Sequence, residues 1–254
     1  MCLITFAWDV HPKYKLILAA NRDEFYKRPS ATAGFWHDDP NILGGKDLQA
    51  GGSWMTVSKQ GKFAAVTNFR DPKNIRPDAA SRGKLPTNFL QTIQSAEEYL
   101  NSIHEKAGRF NGFNLLVGNF HELFHYSNYE RKLNPISRGV HGLSNALLNT
   151  PWPKVELAKE KLDKLIREDF NHDDLIAMMA DEAIADDEVL PDTGIPKDME
   201  RSLSSMCIRM PEYGTCCSTA ITVDRDGKVE FTEKSYPVGN RKDQTVRFSF
   251  EVKS

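Results

Sequence analysis

Apolar runs alternate with turn signals from the first residues onward. Cys2-Leu3-Ile4-Thr5-Phe6-Ala7-Trp8 and Leu16-Ile17-Leu18-Ala19-Ala20 are β-rich runs, separated by residues 9–15 with Pro12 inside. The spacing predicts a hairpin. An antiparallel pair brings the start of its first strand beside the end of its second. The second run ends on Asn21-Arg22-Asp23-Glu24, so Cys2 is expected next to Asn21, Arg22 and Asp23. A second hairpin is expected over 54–57 and 63–67, turning at Gln60-Gly61 and ending on Asn68-Phe69-Arg70. Residues 25–36 are mixed, and 41–52, with four glycines, read as loop.

Helical spacing begins after a polar loop over 71–84. Phe89, Leu90 and Ile93 start one apolar face, Ser95 and Glu98 form a capping-box pattern, and Tyr99, Leu100, Ile103 and Ala107 continue the face to Gly108. Short strands are predicted over 113–117, 123–126 and near Val140. Thr150-Pro151 opens a helix with proline in its first turn, burying Val155, Ala158, Leu162, Leu165 and Ile166. A further helix is predicted over 173–184, with Asp173 and Asp174 at the positive end of its dipole, then an acidic loop over 186–196. Runs at 218–223, 228–232 and 246–252 close the chain, the first two joined at Asp226-Gly227. Helices grouped between antiparallel hairpins predict an α+β fold in layers, two sheets with helices on their outer faces.

The 254 residues contain no linker, repeat or low-complexity block, which predicts a single domain over 1–254. Net charge is −2 with the signs mixed, so nucleic acid is not an expected partner. No apolar run approaches the ~18 residues of a membrane span, and the N-terminus lacks the basic and apolar regions of a signal peptide. Four cysteines, two of them adjacent (Cys216, Cys217), make neither a disulfide framework nor a metal-site spacing. A reducing, cytoplasmic location is expected.

Cys2 taken alone reads as a small buried hydrophobe. With Met1 removed it gains a second reading. The free α-amine, with a pKa near ~8, takes the thiol proton as the residue's own base. Arg22 favours the thiolate and Asp23 holds the amine. Asn68 and Asn145 each read alone as turn residues. Together with Cys2 they make an acyl-transfer set in which both are amide donors to an oxyanion. The glycines have no phosphate-loop spacing. His37 and His141 offer ligands to a metal or haem, with surface histidine the plainer reading of each.

Met1-Cys2-Leu3-Ile4, the Asn-Arg-Asp-Glu string, Gly51-Gly52-Ser53-Trp54, Thr67-Asn68, Asn111-Gly112-Phe113-Asn114, Gly142-Leu143-Ser144-Asn145-Ala146, Thr150-Pro151-Trp152 and Tyr213-Gly214-Thr215 occur in this order. As a set they closely resemble the NRDE family over nearly the full length. The resemblance implies an Ntn-hydrolase-like αββα four-layer sandwich, and intracellular handling of haem or another amphipathic ligand such as a lipid or acyl compound. A more distant similarity to the choloylglycine hydrolases implies Cys2 as nucleophile, Asp23 binding its amine, and Asn68 and Asn145 at the oxyanion. It departs at Ala20 and at Cys216, where the relatives carry arginine. One positive charge near the site is therefore expected to be missing. Two functions stay open. The first is a ligand-handling protein in which Asn21, Arg22, Asn68, Arg70 and Asn145 meet the ligand, with Arg22 or Arg70 on haem propionates at the rim of an apolar cleft. The second is a Cys2-dependent hydrolase of amides or thioesters. Oligomeric state is not readable from the sequence.

Overall fold

The computed structural model describes residues 2–239 and 241–252. Strands β1 (Cys2–Trp8) and β2 (Tyr14–Phe25) form the expected hairpin, with Cys2 opposite Arg22 and Leu3 opposite Asn21. The Asn-Arg-Asp-Glu string does not end the second strand. β11 (Tyr213–Asp224) pairs along the other side of β2, placing Asp23 opposite Thr215 and Glu24 opposite Gly214. The ladder continues because these polar residues find partners inside it.

Two antiparallel sheets result. The first has the order β10-β1-β2-β11-β12-β13, completed by β10 (Gly139–Leu143), β12 (Lys228–Ser235) and β13 (Gln244–Glu251). The second is a meander of β3 (Ser30–Phe35), β4 (Ile42–Asp47), β5 (Met55–Ser58), β6 (Lys62–Asn68), β7 (Phe113–Asn119), β8 (Leu123–Ser127) and β9 (Lys132–Pro135). The helices are α1 (Lys84–Gln91), α2 (Ala96–Lys106), α3 (Pro153–Leu165), α4 (His172–Met178) and α5 (Lys197–Ser202).

The period-two alternation of β1 divides its side chains between two cores. Ile4, Phe6 and Trp8 pack with Leu18 and Ile221 against Val57, Phe63 and Leu116 of the other sheet. Leu3 and Ala7 pack with Ile17 and Ala220 against Val155, Ala158, Leu162 and Leu175 of α3 and α4. A third core joins Leu85, Phe89, Tyr99 and Leu100 of α1 and α2 to Val117 and Tyr126 of the second sheet.

Several boundaries differ from the sequence expectation. Residues 42–47 are strand, not loop. Gly44 belongs there because a Cβ on it would lie 2.5 Å from the Met55 carbonyl oxygen, so glycine admits a close approach of β5. The helix expected from Phe89 is two helices. Thr92 is extended, Ile93 is fully exposed, and the Ser95–Glu98 capping box starts α2. Pro153, not Pro151, opens α3, and the helix after it starts from a capping box of Asn171 and Asp174 and stops at Met178. Strands β3 and β9 and helix α5 are short and mixed in polarity, so no periodicity announces them. Among the described residues no helix is long and apolar enough to cross a membrane.

Candidate functional site

Cys2 begins β1 at the end of the first sheet, in cross-strand register with Arg22, which in turn lies opposite Cys217. Ser144, just past β10, donates from Oγ to the Cys2 carbonyl at 3.1 Å, and Thr67 of β6 donates to the Ser144 carbonyl at 2.7 Å. This buried polar chain links the second sheet to the start of β1. Burial pushes the Cys2 thiol up to about 11; the Asp23 carboxylate adds to the rise, while Arg22 and the Asp23 main-chain N–H oppose it. The thiol is therefore protonated at neutral pH and needs a base to react. Met1, on whose removal the amine-as-base expectation turns, lies outside the described residues.

Asp23 is buried, and Thr215 Oγ1 donates to its Oδ1 at 2.7 Å. Burial raises its pKa, and the nearby Lys154 ammonium opposes that rise. Lys154 is itself buried, donates to the Leu203 carbonyl at 3.0 Å, and is pushed down to about 8 by burial. Arg22 is 8% exposed, lies 3.6 Å from Glu24 through Nη2, and its buried Nη1 has no hydrogen-bond partner among the described residues.

Cys2, Arg22 and Asp23 line a cleft of about 870 Å³ together with Asn68, Cys216 and Cys217. Its walls are chiefly charged and polar. Arg28, Arg82 and Arg241 line it, against Phe25 and Trp54 as its aromatic residues, so the apolar walls expected from the sequence are not there. Arg28 is paired with Asp47 at 2.7 Å. Arg82 and Arg241 meet neutral groups: the Gly112 carbonyl at 2.8 Å for one, the Arg28 carbonyl at 3.0 Å and Ser30 Oγ at 2.9 Å for the other. The expected deficit of positive charge is thus made up from residues the sequence did not single out. Lys154 and Thr215 were likewise missed. Lys154 lies in a helix opened by a proline-rich turn and carries no motif of its own, whereas Thr215 belongs to the Tyr-Gly-Thr string.

The remaining expected site residues divide. Asn68 lines the cleft, and its side-chain amide has no hydrogen bond to a described residue. Asn145 instead lines a smaller neighbouring cavity, and its Nδ2 donates to the Asn68 carbonyl at 2.8 Å. Arg70 also lines the smaller cavity. It is buried in an ion pair with Glu200 at 2.5 Å and lies 4.6 Å over the Trp152 ring, so it does not sit free at a cleft rim. Asn21 is fully buried on the opposite face of β2 from Arg22. Its Nδ2 donates to the Met179 and Met206 carbonyls at 2.8 Å each, and its Oδ1 accepts from Ser218 at 2.5 Å. These bonds tie β2 to the segments after α4 and α5 and to β11, and they engage both amide hydrogens. His141 is buried rather than superficial. Its Nε2 donates to the Ser137 carbonyl at 2.9 Å and its Nδ1 accepts from Asn149 at 3.0 Å, leaving no ring nitrogen for a metal. His37 is exposed. Among the described residues no group of three or more His, Cys, Asp or Glu is set to hold a metal ion.

The family profile described as Transport and Golgi organisation 2 matches residues 1–237. The human Transport and Golgi organization protein 2 homolog is 38% identical over 257 residues, covering 92% of this chain and 93% of the human protein. The homolog from Bos taurus is 36% identical with the same coverage. Among solved structures, a mutant of the conjugated bile acid hydrolase from Clostridium perfringens aligns with a TM-score of 0.43 and 11% identity, over 98% of this chain and 92% of that one.

Proposed function

The chain belongs to the Transport and Golgi organisation 2 family, and from that premise we propose that it is a cysteine hydrolase of amide or thioester bonds, acting on substrates that carry negative charge. The observation that carries this reading is the cleft itself. Cys2 faces Arg22 there, with Asp23 buried behind and the free Asn68 amide in front. Once Met1 is removed, the Cys2 amine accepts the thiol proton and the thiolate attacks the substrate carbonyl. The S–C bond forms, the C–N or C–S bond of the substrate breaks, and the amine returns the proton to the leaving group. Water then cleaves the thioester to Cys2. Asp23, oriented by Thr215, holds the amine. Asn68 donates to the developing oxyanion, and Asn145 acts through Asn68 by fixing its backbone. Arg22, Arg82 and Arg241 bind the substrate's negative charge.

The three stacked cores support reading the fold as an αββα sandwich of the Ntn-hydrolase kind, in one domain. Four free thiols suit a reducing, cytoplasmic location. Haem is the weaker ligand for this cleft: its ring asks for apolar walls, and the cleft offers mostly charge.

The test is intact mass to establish the mature N-terminus, followed by turnover of anionic amides and thioesters. Cys2→Ala is expected to lower kcat by about 10³-fold or more. Turnover that survives in Cys2→Ala places the chemistry elsewhere. Saturable haem binding without any Cys2-dependent turnover would restore the ligand-handling reading.

A further inference from the structure

The adjacent cysteines Cys216 and Cys217 take no part in the reaction at Cys2, yet both stand at the same cleft. A regular strand would send consecutive side chains to opposite faces. Here Cys216 is the extra residue of a bulge in β11, between Thr215 opposite Asp23 and Cys217 opposite Arg22, and both cysteines line the cleft. Two further groups converge on the pair. Glu233 of β12 is 3% exposed and lines the same cleft. Its Oε1 accepts from the Ala33 N–H at 2.8 Å, and the Cys217 thiol donates to its carboxylate. Across the ladder from Cys217, the buried Arg22 keeps Nη1 without a hydrogen-bond partner among the described residues. A thiol, a proton acceptor, a free guanidinium N–H and a second thiol thus stand together.

We propose that Cys216 and Cys217 form a site of reversible oxidation by hydroperoxides, closing to a disulfide between adjacent residues. Glu233 takes the Cys217 proton, and the thiolate attacks one oxygen of hydrogen peroxide. The S–O bond forms as the O–O bond breaks, and the departing hydroxide takes the proton from Glu233 to leave as water. Arg22 Nη1 donates to the oxygen now on Cys217. The Cys216 sulfur then attacks Cys217. The S–S bond forms, the S–O bond breaks, and the hydroxyl leaves with the Cys216 proton as a second water. Each sulfur gives up one electron, and the peroxide is reduced to water. Neighbouring Cα atoms lie about 3.8 Å apart across a trans peptide, closer than the roughly 4.4–6.8 Å of ordinary disulfides. Such a bridge is strained and readily reduced. The bulge yields to it more easily than the ladder around it, since its extra residue has no partner on β2. Burial raises both thiols, so the reaction depends on its proton acceptor and quickens as pH rises. None of these steps uses Cys2, so the site stands or falls apart from the hydrolase reading.

The test treats the full chain with hydrogen peroxide, then digests it with trypsin and maps the peptides by mass. Residues 210–225 form one tryptic peptide that holds Cys216 and Cys217 and neither of the other cysteines. That peptide should lose two hydrogen atoms and regain them on treatment with reduced glutathione, while Cys207, outside the cleft, stays a free thiol. Cys216→Ser should abolish the bridge and leave Cys217 as a sulfenic acid that dimedone traps. Glu233→Gln keeps an oxygen for the Ala33 N–H and should slow the oxidation on the order of 10²-fold. A peptide that keeps its mass or gains oxygen without bridging, oxidation confined to Cys2, or an unchanged rate in Glu233→Gln would overturn the proposal.

Discussion

Replacing Asn145 by alanine separates a brace from a bystander. Its side chain makes two contacts: Nδ2 to the Asn68 carbonyl at 2.8 Å, and Oδ1 to Ser144 Oγ at 3.2 Å. The second is partly redundant, because the Ser144 hydroxyl has one proton and also reaches the Cys2 carbonyl at 3.1 Å. The Asn68 contact is the real loss. A hydrogen bond of this kind contributes about 1 kcal/mol, and leaving a buried acceptor unmatched raises the cost toward about 2 kcal/mol. For a chain of this size that lowers Tm by about 4–8 °C. Asn68 stands between both cavities, so loosening it should cost activity beyond the stability loss. A misplacement near 1 Å costs on the order of 10²-fold in rate, with KM little changed because the oxyanion exists only in the transition state. Calorimetry and steady-state kinetics at a temperature where the variant is fully folded measure the two effects separately. A Tm within 1 °C of wild type, or unchanged kcat in Asn145→Ala alongside a large loss in Asn68→Ala, would refute the bracing role.

Two further perturbations follow from the same geometry. Burial lowers Lys154 from 10.5 to about 8 in the folded protein, so the unfolded chain binds more protons between these values. The stability linked to this group is fully present above pH 10.5 and is lost as pH falls to about 8, a change of about 3 kcal/mol. Lys154→Met should flatten that part of the urea-derived stability profile. Cys2, raised from 9.0 to about 11, tilts the profile the opposite way and is coupled to Lys154, so the comparison is made in a Cys2→Ala background, where identical slopes would contradict the burial argument. Asn21→Leu keeps the volume but strands two carbonyls and leaves the Ser218 hydroxyl with Tyr236 alone. It should cost about 3 kcal/mol while leaving KM unchanged, and a KM effect without a stability loss would return Asn21 to the ligand site.

The hairpins were legible in the sequence because apolar runs, turn residues and period-two burial all agree there. Cys2 beside Asn21, Arg22 and Asp23 follows from that alone, whereas the pairing of Cys2 with Arg22 does not, because β2 runs on to Phe25. The cleft's composition was not legible. Arg82 and Arg241 arrive from loops that carry no periodicity, and β4 was hidden by glycines that a close strand approach requires. The burial of Asn21 was hidden for a different reason. Alternation along β2 puts it on the helix side when Arg22 faces the cleft, and the motif string concealed that its members point to opposite faces.

Cys216 makes the same point about charge. It sits at a bulge between Thr215 and Cys217, its sulfur near the Glu24 carbonyl at 3.6 Å and the Gly214 carbonyl at 3.5 Å. Burial raises its thiol, and Arg241 is the leading opposing influence, followed by Arg22. A guanidinium therefore stands near this thiol, supplied from a loop and not from the strand itself. A hydrogen bond demands a donor at one place, whereas a Coulomb field falls off slowly and sums over all charges present. Positive charge at a thiol can thus come from a strand or from a loop, whereas the Thr215–Asp23 hydrogen bond depends on the pairing of β2 with β11. Of the arginines that line the cleft, Arg22 lies in the Asn-Arg-Asp-Glu string, while Arg82 and Arg241 act on it from positions that carry no motif.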